Sequence, residues 1–347
     1  MSGSTHPPGS DVSETGQEFL PLGFRVSSDT KGDVMRRLLI VAGLAGAFLL
    51  AAGAGTAFAS SDPSAEDLRT LDQPRPAWLT DDLEAEIVAS GTKGVEVEVA
   101  PNATNPNCLG TAPPYVGTDG VSTRAVSAGA CMVSPSGCTM NFVFTDGTSN
   151  YIGTAGHCAG NGKTVIAQVA TRVDPTDTVF VTLAAIGTTV KSWNNGIGKD
   201  FALVKIDPGF KVVPGVAGAL GPTGVFCGDP VGQPVMHYGH GYVFFVEQGY
   251  AKFGEVVPDL TLVFKFTTEN GFNWVGYGLP GDSGSEVMND AGLAVGDLTH
   301  GVAVAGVPVP GLSFGTDMAG IFNLIGPGWS VVTVDGRAAN CANPLGL

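Results

Sequence analysis

Three short motifs, far apart in the chain, each contain a side chain that can serve in acyl transfer. His157 lies within Thr-Ala-Gly-His-Cys, Asp200 opens the run Asp-Phe-Ala-Leu-Val-Lys-Ile, and Ser283 lies within Gly-Asp-Ser-Gly-Ser. A serine hydroxyl is a poor nucleophile at neutral pH, so it needs a base within hydrogen-bond reach and a group that orients this base. A fold that uses the three residues together has to join distant parts of the chain.

The order of these residues narrows the choice of fold. The order along the chain is His, Asp, Ser, whereas the two other common arrangements of this chemistry have the orders Asp-His-Ser and Ser-Asp-His. The GxSxG elbow of α/β-hydrolases is also absent, because Ser285 stands where that motif needs glycine. The motifs resemble those of the chymotrypsin-like (trypsin-like) serine proteases of the bacterial secreted type, over roughly Cys131 to the C-terminus. The resemblance implies that His157 is the general base, that Asp200 orients it, and that Ser283 is the nucleophile.

The loop around Ser283 predicts a site for a developing negative charge. Glycine at positions 281 and 284 allows a sharp turn, which would direct the N–H groups of Gly281 and Ser283 toward an oxyanion. Asp282 is expected to be buried there, and a buried carboxylate needs a cation. That cation is either the N-terminus released by cleavage after Arg124 or an internal Lys or Arg.

Composition indicates a globular protein that does not bind nucleic acid. The chain has 347 residues, of which 51 are glycine and 44% are apolar, so it can bury one or two cores. Its formal charge of -15 disfavours contact with a phosphate backbone, because that affinity comes mainly from Lys and Arg.

The N-terminal region has the pattern of an exported precursor. Met35-Arg36-Arg37 precedes the apolar run Leu38 to Phe58 and Ala57-Phe58-Ala59, which predicts a signal peptide over 35–59 with cleavage after Ala59. We therefore expect a secreted, extracellular protein without stable membrane association after cleavage; a retained membrane anchor is the alternative.

Two segments flank the predicted signal peptide. Residues 1–34 read as an over-extended N-terminus, or else as a short cytoplasmic tail. Residues 60–107 are acidic and read as the pro-segment of a zymogen, or else as a solvated arm. They contain a predicted helix over Asp81 to Ala89, with Thr80 as its cap.

Beyond Cys108 the sequence predicts an all-β fold. Short apolar stretches alternate with turn residues, as in β-sandwiches and barrels. The Pro- and Gly-rich stretch Val213 to Pro234 divides this region into comparable halves. The resemblance implies two antiparallel six-stranded β-barrels of the chymotrypsin type, 108–215 with the histidine and aspartate and 228–347 with the serine, and an active site between them.

The six cysteines predict disulfides rather than a metal site, because the chain is expected to be exported and has no zinc-ligand spacing. The resemblance implies a bond between Cys138 and Cys158, which would hold the loop of His157. Three pairings of the other four cysteines remain open; these are Cys108, Cys131, Cys227 and Cys341.

The resemblance also places a primary specificity pocket beside Ser283. Tyr277 stands where trypsin-type enzymes have aspartate, which disfavours cleavage after Lys or Arg, and Thr299, His300 and Gly301 form the edge that binds substrate. Because side chains alternate along a strand, the register decides whether His300 faces the pocket, where it could bind an acidic side chain, or the outer surface.

Together these observations predict a secreted, monomeric serine endopeptidase that hydrolyses peptide bonds through an acyl-enzyme intermediate on Ser283. It would use no cofactor and act on protein or peptide substrates. Two alternatives remain open. One is a secreted esterase, because the same chemistry cleaves esters. The other is a catalytically silent binding protein on the same fold, with a blocked cleft or a collapsed oxyanion loop.

Overall fold

Stretches rich in Val, Thr and Phe alternate with glycine-rich turns, and they form antiparallel strands as this composition predicts. The strands make two sheets, each curled into a barrel, so the chain has the two-barrel chymotrypsin-type fold. A computed structural model describes residues 68–97, 123–172, 180–215, 221–243, 246–258, 269–304 and 307–347.

The first described stretch carries a strand, a helix and a 3₁₀ turn: β1 (Leu68–Thr70), α1 (Asp81–Ser90) and Gly91–Lys93. The Thr80 hydroxyl accepts a hydrogen bond from the Leu83 N–H at 3.2 Å and so caps α1. The helix predicted from the sequence is confirmed and is one residue longer.

Nine strands build the first barrel: β2 (Thr123–Ser127), β3 (Cys131–Ser134), β4 (Cys138–Thr139), β5 (Val143–Thr145), β6 (Asn150–Thr154), β7 (Thr164–Arg172), β8 (Phe180–Asn194), β9 (Asp200–Ile206) and β10 (Lys211–Val213). A ring runs from β3 through β7, β8, β9 and β6 to the bent stretch 138–145, which contains β4 and β5 and returns to β3. Apolar side chains, mostly Val, Ile, Ala and Met, fill its interior.

Seven strands belong to the second barrel: β11 (Gly224–Val225), β12 (Pro234–Val243), β13 (Val246–Val256), β14 (Gly271–Gly276), β15 (Glu286–Asn289), β16 (Leu293–Val304) and β17 (Val307–Asp317). β12, β13, β14, β17, β16 and β15 pair in that order and close a six-stranded ring. β11 adds to β16 in parallel, and β1 pairs with β16 antiparallel from outside the ring.

The C-terminal stretch links the barrels through α2 (Met318–Ile325), β18 (Ser330–Val332) and β19 (Ala338–Ala339). After leaving the second barrel it pairs with β5 of the first, with Ser330 opposite Thr145. A disulfide between Cys227 and Cys341 ties its end to the stretch between the barrels. Cys131 is also disulfide-bonded.

Within the described ranges, each helix is too short or too polar to cross a lipid bilayer. The expected signal peptide (35–59), the N-terminal residues 1–34 and Cys108 lie outside the described residues. So do parts of the predicted pro-segment and of the first-barrel range.

Candidate active site

Neighbouring strands position the first two candidate residues. His157 follows the end of β6, and Asp200 is the first residue of β9, which pairs with β6 so that Thr154 lies opposite Ala202. A side chain at Gly156 would collide with the Trp193 carbonyl, so the turn that presents the histidine needs glycine there. Strand pairing thus sets the two side chains next to each other.

A continuous hydrogen-bonded chain joins the three residues of the predicted triad. His157 Nδ1 lies 2.6 Å from Asp200 Oδ2, and the His157 backbone N–H donates to Asp200 Oδ1 at 3.0 Å. His157 Nε2 lies 2.9 Å from Ser283 Oγ. Asp200 and Ser283 are fully buried. With the Nδ1 proton held by the carboxylate, Nε2 is the nitrogen that can accept the serine proton.

A disulfide reinforces the loop of His157. Cys138 and Cys158 are bonded, which ties β4 to the residue after the histidine. Their sulfur atoms lie within 4.8 Å of a ring nitrogen of His157, a spacing that a metal site could have. Both sulfurs are used by the disulfide, so the donor set does not suit a metal ion.

The loop before Ser283 directs two backbone donors at one oxygen atom. Gly281 has φ 103°, and a side chain there would meet the His240 carbonyl at 2.6 Å. The N–H groups of Gly281 and Ser283 both donate to the carbonyl oxygen of Leu71, at 2.5 and 3.3 Å. Two convergent N–H groups are the arrangement that stabilises an oxyanion.

Buried Asp282 is paired with a cation from inside the second barrel. Lys252 Nζ of β13 lies 2.9 Å from its Oδ1, and the N–H groups of Gly241 and Leu279 also donate to the carboxylate. Burial alone would raise the pKa of Asp282, but the Lys252 ammonium, with His237 beside it, holds that pKa below its ordinary value. The cation beside Asp282 is therefore an internal lysine, one of the two candidates that the sequence left open.

The other candidate for the cation beside Asp282 was a new N-terminus at Ala125. Ala125 lies within β2, opposite Ala170 of β7 and Lys211 of β10, and is buried. Its backbone belongs to the first barrel.

Two more carboxyl groups are buried in the second barrel, and nothing in their local sequence signals this. Burial raises the pKa of Glu286 and of Asp297 well above their ordinary values, and the nearby Asp200 adds to the effect on Asp297. Glu286 accepts the Tyr238 N–H, and Asp297 accepts the Thr316 N–H. Burial thus favours the protonated, uncharged form of both groups more than in an exposed carboxyl.

Leu71 fills a pocket beside Ser283. Its side chain is 2% exposed and packs in the cluster that contains Leu298. A Cβ built on Gly278 would lie 2.8 Å from Leu71 Cδ1, and one on Gly301 would lie 3.0 Å from Leu71 Cδ2. Glycine at these two positions leaves the space that the leucine occupies.

Tyr277, which was expected at the pocket, is 58% exposed. The next residue, Gly278, is the one whose position faces the Leu71 side chain.

The structure places His300 in the interior and not on the outer surface. It is buried, and its ring centroid lies 5.9 Å from that of His157. An irregularity in the pairing with β17 between Leu298 and His300 interrupts the alternation, so Thr299 and His300 are both buried. Burial lowers the pKa of His300 to about 4, although Asp200 nearby acts in the opposite direction. With residues 68–73 in the cleft, the ring is therefore neutral at pH 7.

Comparison with known proteins finds similarity in fold but not in sequence family. No protein-family model and no curated protein matches the chain. Thermobifida fusca Protease A is 18% identical, with TM-score 0.42, over 60% of this chain and 99% of its own. A Cellulomonas bogoriensis chymotrypsin is 20% identical, with TM-score 0.41, over 60% and 99%. A glutamic acid-specific serine protease with a histidine triad in substrate binding is 16% identical, with TM-score 0.41, over 59% and 100%.

Proposed function

We propose that this protein is a secreted serine endopeptidase that hydrolyses peptide bonds through an acyl-enzyme intermediate on Ser283. One observation carries the proposal. The hydrogen-bonded chain from Asp200 through His157 ends at a hydroxyl beside two N–H groups that already hold a peptide carbonyl. The groups that the proposal requires as nucleophile, base, orienting group and oxyanion donors thus lie in one place.

The reaction follows from these positions. Ser283 Oγ attacks the substrate carbonyl carbon and its proton passes to His157 Nε2, while Asp200 stabilises the imidazolium. The N–H groups of Gly281 and Ser283 stabilise the oxyanion, and in comparable sites the loss of one such donor raises the barrier by about 3 kcal/mol. His157 then protonates the leaving amine, and a water molecule repeats the sequence to release the acid.

The cleft favours a peptide over a small ester. The outer edge of β16 pairs with an extended chain, β1, through backbone hydrogen bonds. Beyond the site the same chain pairs with Gly137, so backbone binds on both sides of Ser283. An edge that adds a strand selects for a polypeptide, and contact on both sides is what an endopeptidase requires.

The remaining features agree with an exported protein that matures without a new N-terminus at Asp282. The described disulfides, Cys138–Cys158 and Cys227–Cys341, are typical of oxidising compartments. Because Lys252 neutralises Asp282, we propose that the oxyanion loop forms in the uncleaved chain. One observation supports the alternative of a catalytically silent binding protein. The chain that contains β1 and Gln73 occupies the cleft.

A covalent probe tests the proposal in the full chain. We expect a fluorophosphonate to label Ser283 and the Ser283→Ala variant to stay unlabelled. Ser285→Ala is a matched control, because this buried hydroxyl has no hydrogen-bond partner among the residues that the structure describes, and it should be labelled like the wild type. In the wild type, the chain around Leu71 can keep the probe out of the cleft. We therefore also test Leu71→Asp, which should release this chain from the apolar pocket. Absence of label in both wild type and Leu71→Asp would contradict the proposed function.

A further inference from the structure

The stretch 68–73 runs through the cleft in the position of a substrate. Arg69 lies opposite Gly301 and Thr70 opposite His300, in an antiparallel register on β16. The Leu71 N–H continues this pairing by donating to the Thr299 carbonyl at 3.2 Å. This antiparallel pairing leads the extended chain toward Ser283, and Leu71 is its last residue on β16.

The same alignment continues past Ser283. The Gln73 N–H donates to the Gly137 carbonyl, and the Gly137 N–H donates to the Gln73 carbonyl, both at 2.8 Å. The Gln73 side chain also donates to the Pro280 carbonyl at 2.5 Å. Backbone contacts on both sides therefore hold the peptide bond between Leu71 and Asp72 in place.

The Leu71 carbonyl is the one group of this stretch that meets the catalytic donors. Its oxygen accepts hydrogen bonds from Gly281 and Ser283, its side chain fills the apolar pocket, and Ser283 beneath it is fully buried. Two polarising donors and a side chain anchored in the pocket mark the carbonyl that a nucleophile would attack.

We propose that the protein cleaves its own chain between Leu71 and Asp72, within one molecule. Ser283 Oγ bonds to the Leu71 carbonyl carbon and the carbon–nitrogen bond to Asp72 breaks. The serine proton moves through His157 to the leaving amine of Asp72. Water then hydrolyses the ester on Ser283, leaving a carboxylate on Leu71. This inference rests on the function proposed above and adds its first substrate.

The cut separates a part that can leave from a part that stays. On the side before the cut, the described residues attach to the barrel through β1 and Leu71. On the other side, Leu79 and Ile87 are buried against Ile166 and Leu183 of the first barrel. Departure of the released end would open the cleft, while 72–97 remain part of the mature enzyme. The pro-segment would then end at Leu71, well before the boundary expected from the sequence.

The occupied pocket also assigns a substrate class. Gly278, Gly301 and Leu298 enclose Leu71 without any charged group among them, so the residue before the cut should be an aliphatic side chain of leucine size. Peptides copying residues 68–73, with Leu, Lys, Glu or Asp at the fourth position, should be cut after Leu at least about 100-fold faster than after the charged residues. Faster cleavage after a charged residue would overturn this assignment.

The self-cleavage is tested on the full chain by intact mass and N-terminal sequencing. We expect incubation of purified wild type to produce a new N-terminus at Asp72 and Ser283→Ala to remain uncut. The rate constant should not change over a roughly 100-fold range of protein concentration, because the cleft already holds its substrate. A rate that grows with concentration, or cutting of Ser283→Ala, would overturn an intramolecular reaction.

Two substitutions distinguish an effect of the pocket on self-cleavage from a general effect on folding. Leu71→Asp places a carboxylate in the apolar pocket and should slow the cut at least about 100-fold. Val88→Asp makes a similar exchange at a position of α1 that is 46% exposed and should leave the rate within roughly threefold of wild type. Equal rates in the two variants would contradict the assignment of Leu71.

The probe experiment distinguishes failure of this inference from failure of the proposed function. If Ser283 is labelled but Leu71 stays bonded to Asp72, or the cut falls at another bond, the proposed self-cleavage is wrong. The proposed hydrolase then stands. In that case 68–73 would act as an inhibitory strand. If Ser283 is labelled in neither wild type nor Leu71→Asp, the function itself is wrong.

Discussion

The two halves of the candidate active site are supported by different forces. The loop of His157 lies on the first barrel, whose core is apolar and which a disulfide braces at Cys158. The loop of Ser283 lies on the second barrel and is held by a buried ion pair between Asp282 and Lys252. Packing and a covalent bond thus support the loop of His157, whereas electrostatics support the loop of Ser283.

The contrast is clearest between the two buried aspartates. Asp200 contacts the imidazole that would take up a proton in the proposed reaction, while Asp282 contacts an ammonium that takes no part in it. A carboxylate with a permanent partner serves as an anchor, and one beside a titrating ring can serve chemistry. Substitutions in the two halves should therefore separate effects on rate from effects on stability.

The largest expected effect is on rate. Asp200→Asn should lower the hydrolysis of a leucine peptide roughly 10⁴-fold, because the amide no longer holds the reactive tautomer of His157. The free energy of unfolding should fall by about 1–3 kcal/mol, because the amide leaves one buried N–H of His157 without an acceptor. Peptide turnover and urea denaturation of the same sample measure both. A loss of rate below about tenfold would contradict the role assigned to Asp200.

Lys252→Met should act on stability first. It leaves the Asp282 carboxylate buried without its cation, which should lower the free energy of unfolding by about 3–5 kcal/mol. Lys205→Met, at an exposed position of β9, is the control and should change it by about 0.5 kcal/mol or less. Adding Asp282→Asn to Lys252→Met should recover part of the loss. Failure to recover would mean that Lys252 acts mainly through packing.

Removing the disulfide tests the support of the other half. The double variant Cys138→Ala, Cys158→Ala opens a loop with a sequence separation of 20 and should lower the free energy of unfolding by about 3 kcal/mol. This loss should be the same at about pH 5 and pH 7, because no charge is involved. Denaturation curves at both pH values measure it. A loss that depends on pH would weaken the contrast between the two halves.

The smallest effect concerns His300. Its pKa is lowered from 6.5 to about 4, so the unfolded chain binds the proton more strongly and stability falls as pH drops through this range. Between about pH 7 and pH 5 the contribution is about 2 kcal/mol. His300→Gln should remove this part of the pH dependence. The comparison is made against wild type because the pKa of His237 is lowered as well. Identical pH profiles would contradict a buried neutral His300.

Local patterns predicted much of the fold and part of the site. Thr80 and the residues after it predicted α1, because a helix start depends on neighbours in sequence. The three motifs named side chains that the structure places in one hydrogen-bonded chain. The helix signal and the helix lie within the same few residues. Each motif is likewise recognisable within a few residues, although its side chain meets the other two only in the folded chain.

The rest depended on contacts between distant parts of the chain. Lys252 lies 30 residues from Asp282, and nothing around it distinguishes it from an exposed strand lysine. The place of Leu71 is set by the register of β1 on β16, which sequence periodicity does not fix. The irregular pairing near His300 has the same origin, since it depends on the partner strand.

The C-terminal stretch makes the two barrels inseparable. α2 and β18 carry side chains into a shared cluster with Phe144 and Phe201 of the first barrel and Met288 of the second. Trp329 packs edge-on against Tyr151, with the ring centroids 4.7 Å apart. Neither half is therefore a portable module that recombination could move to another protein, and we expect evolution to have inherited and modified them as one piece.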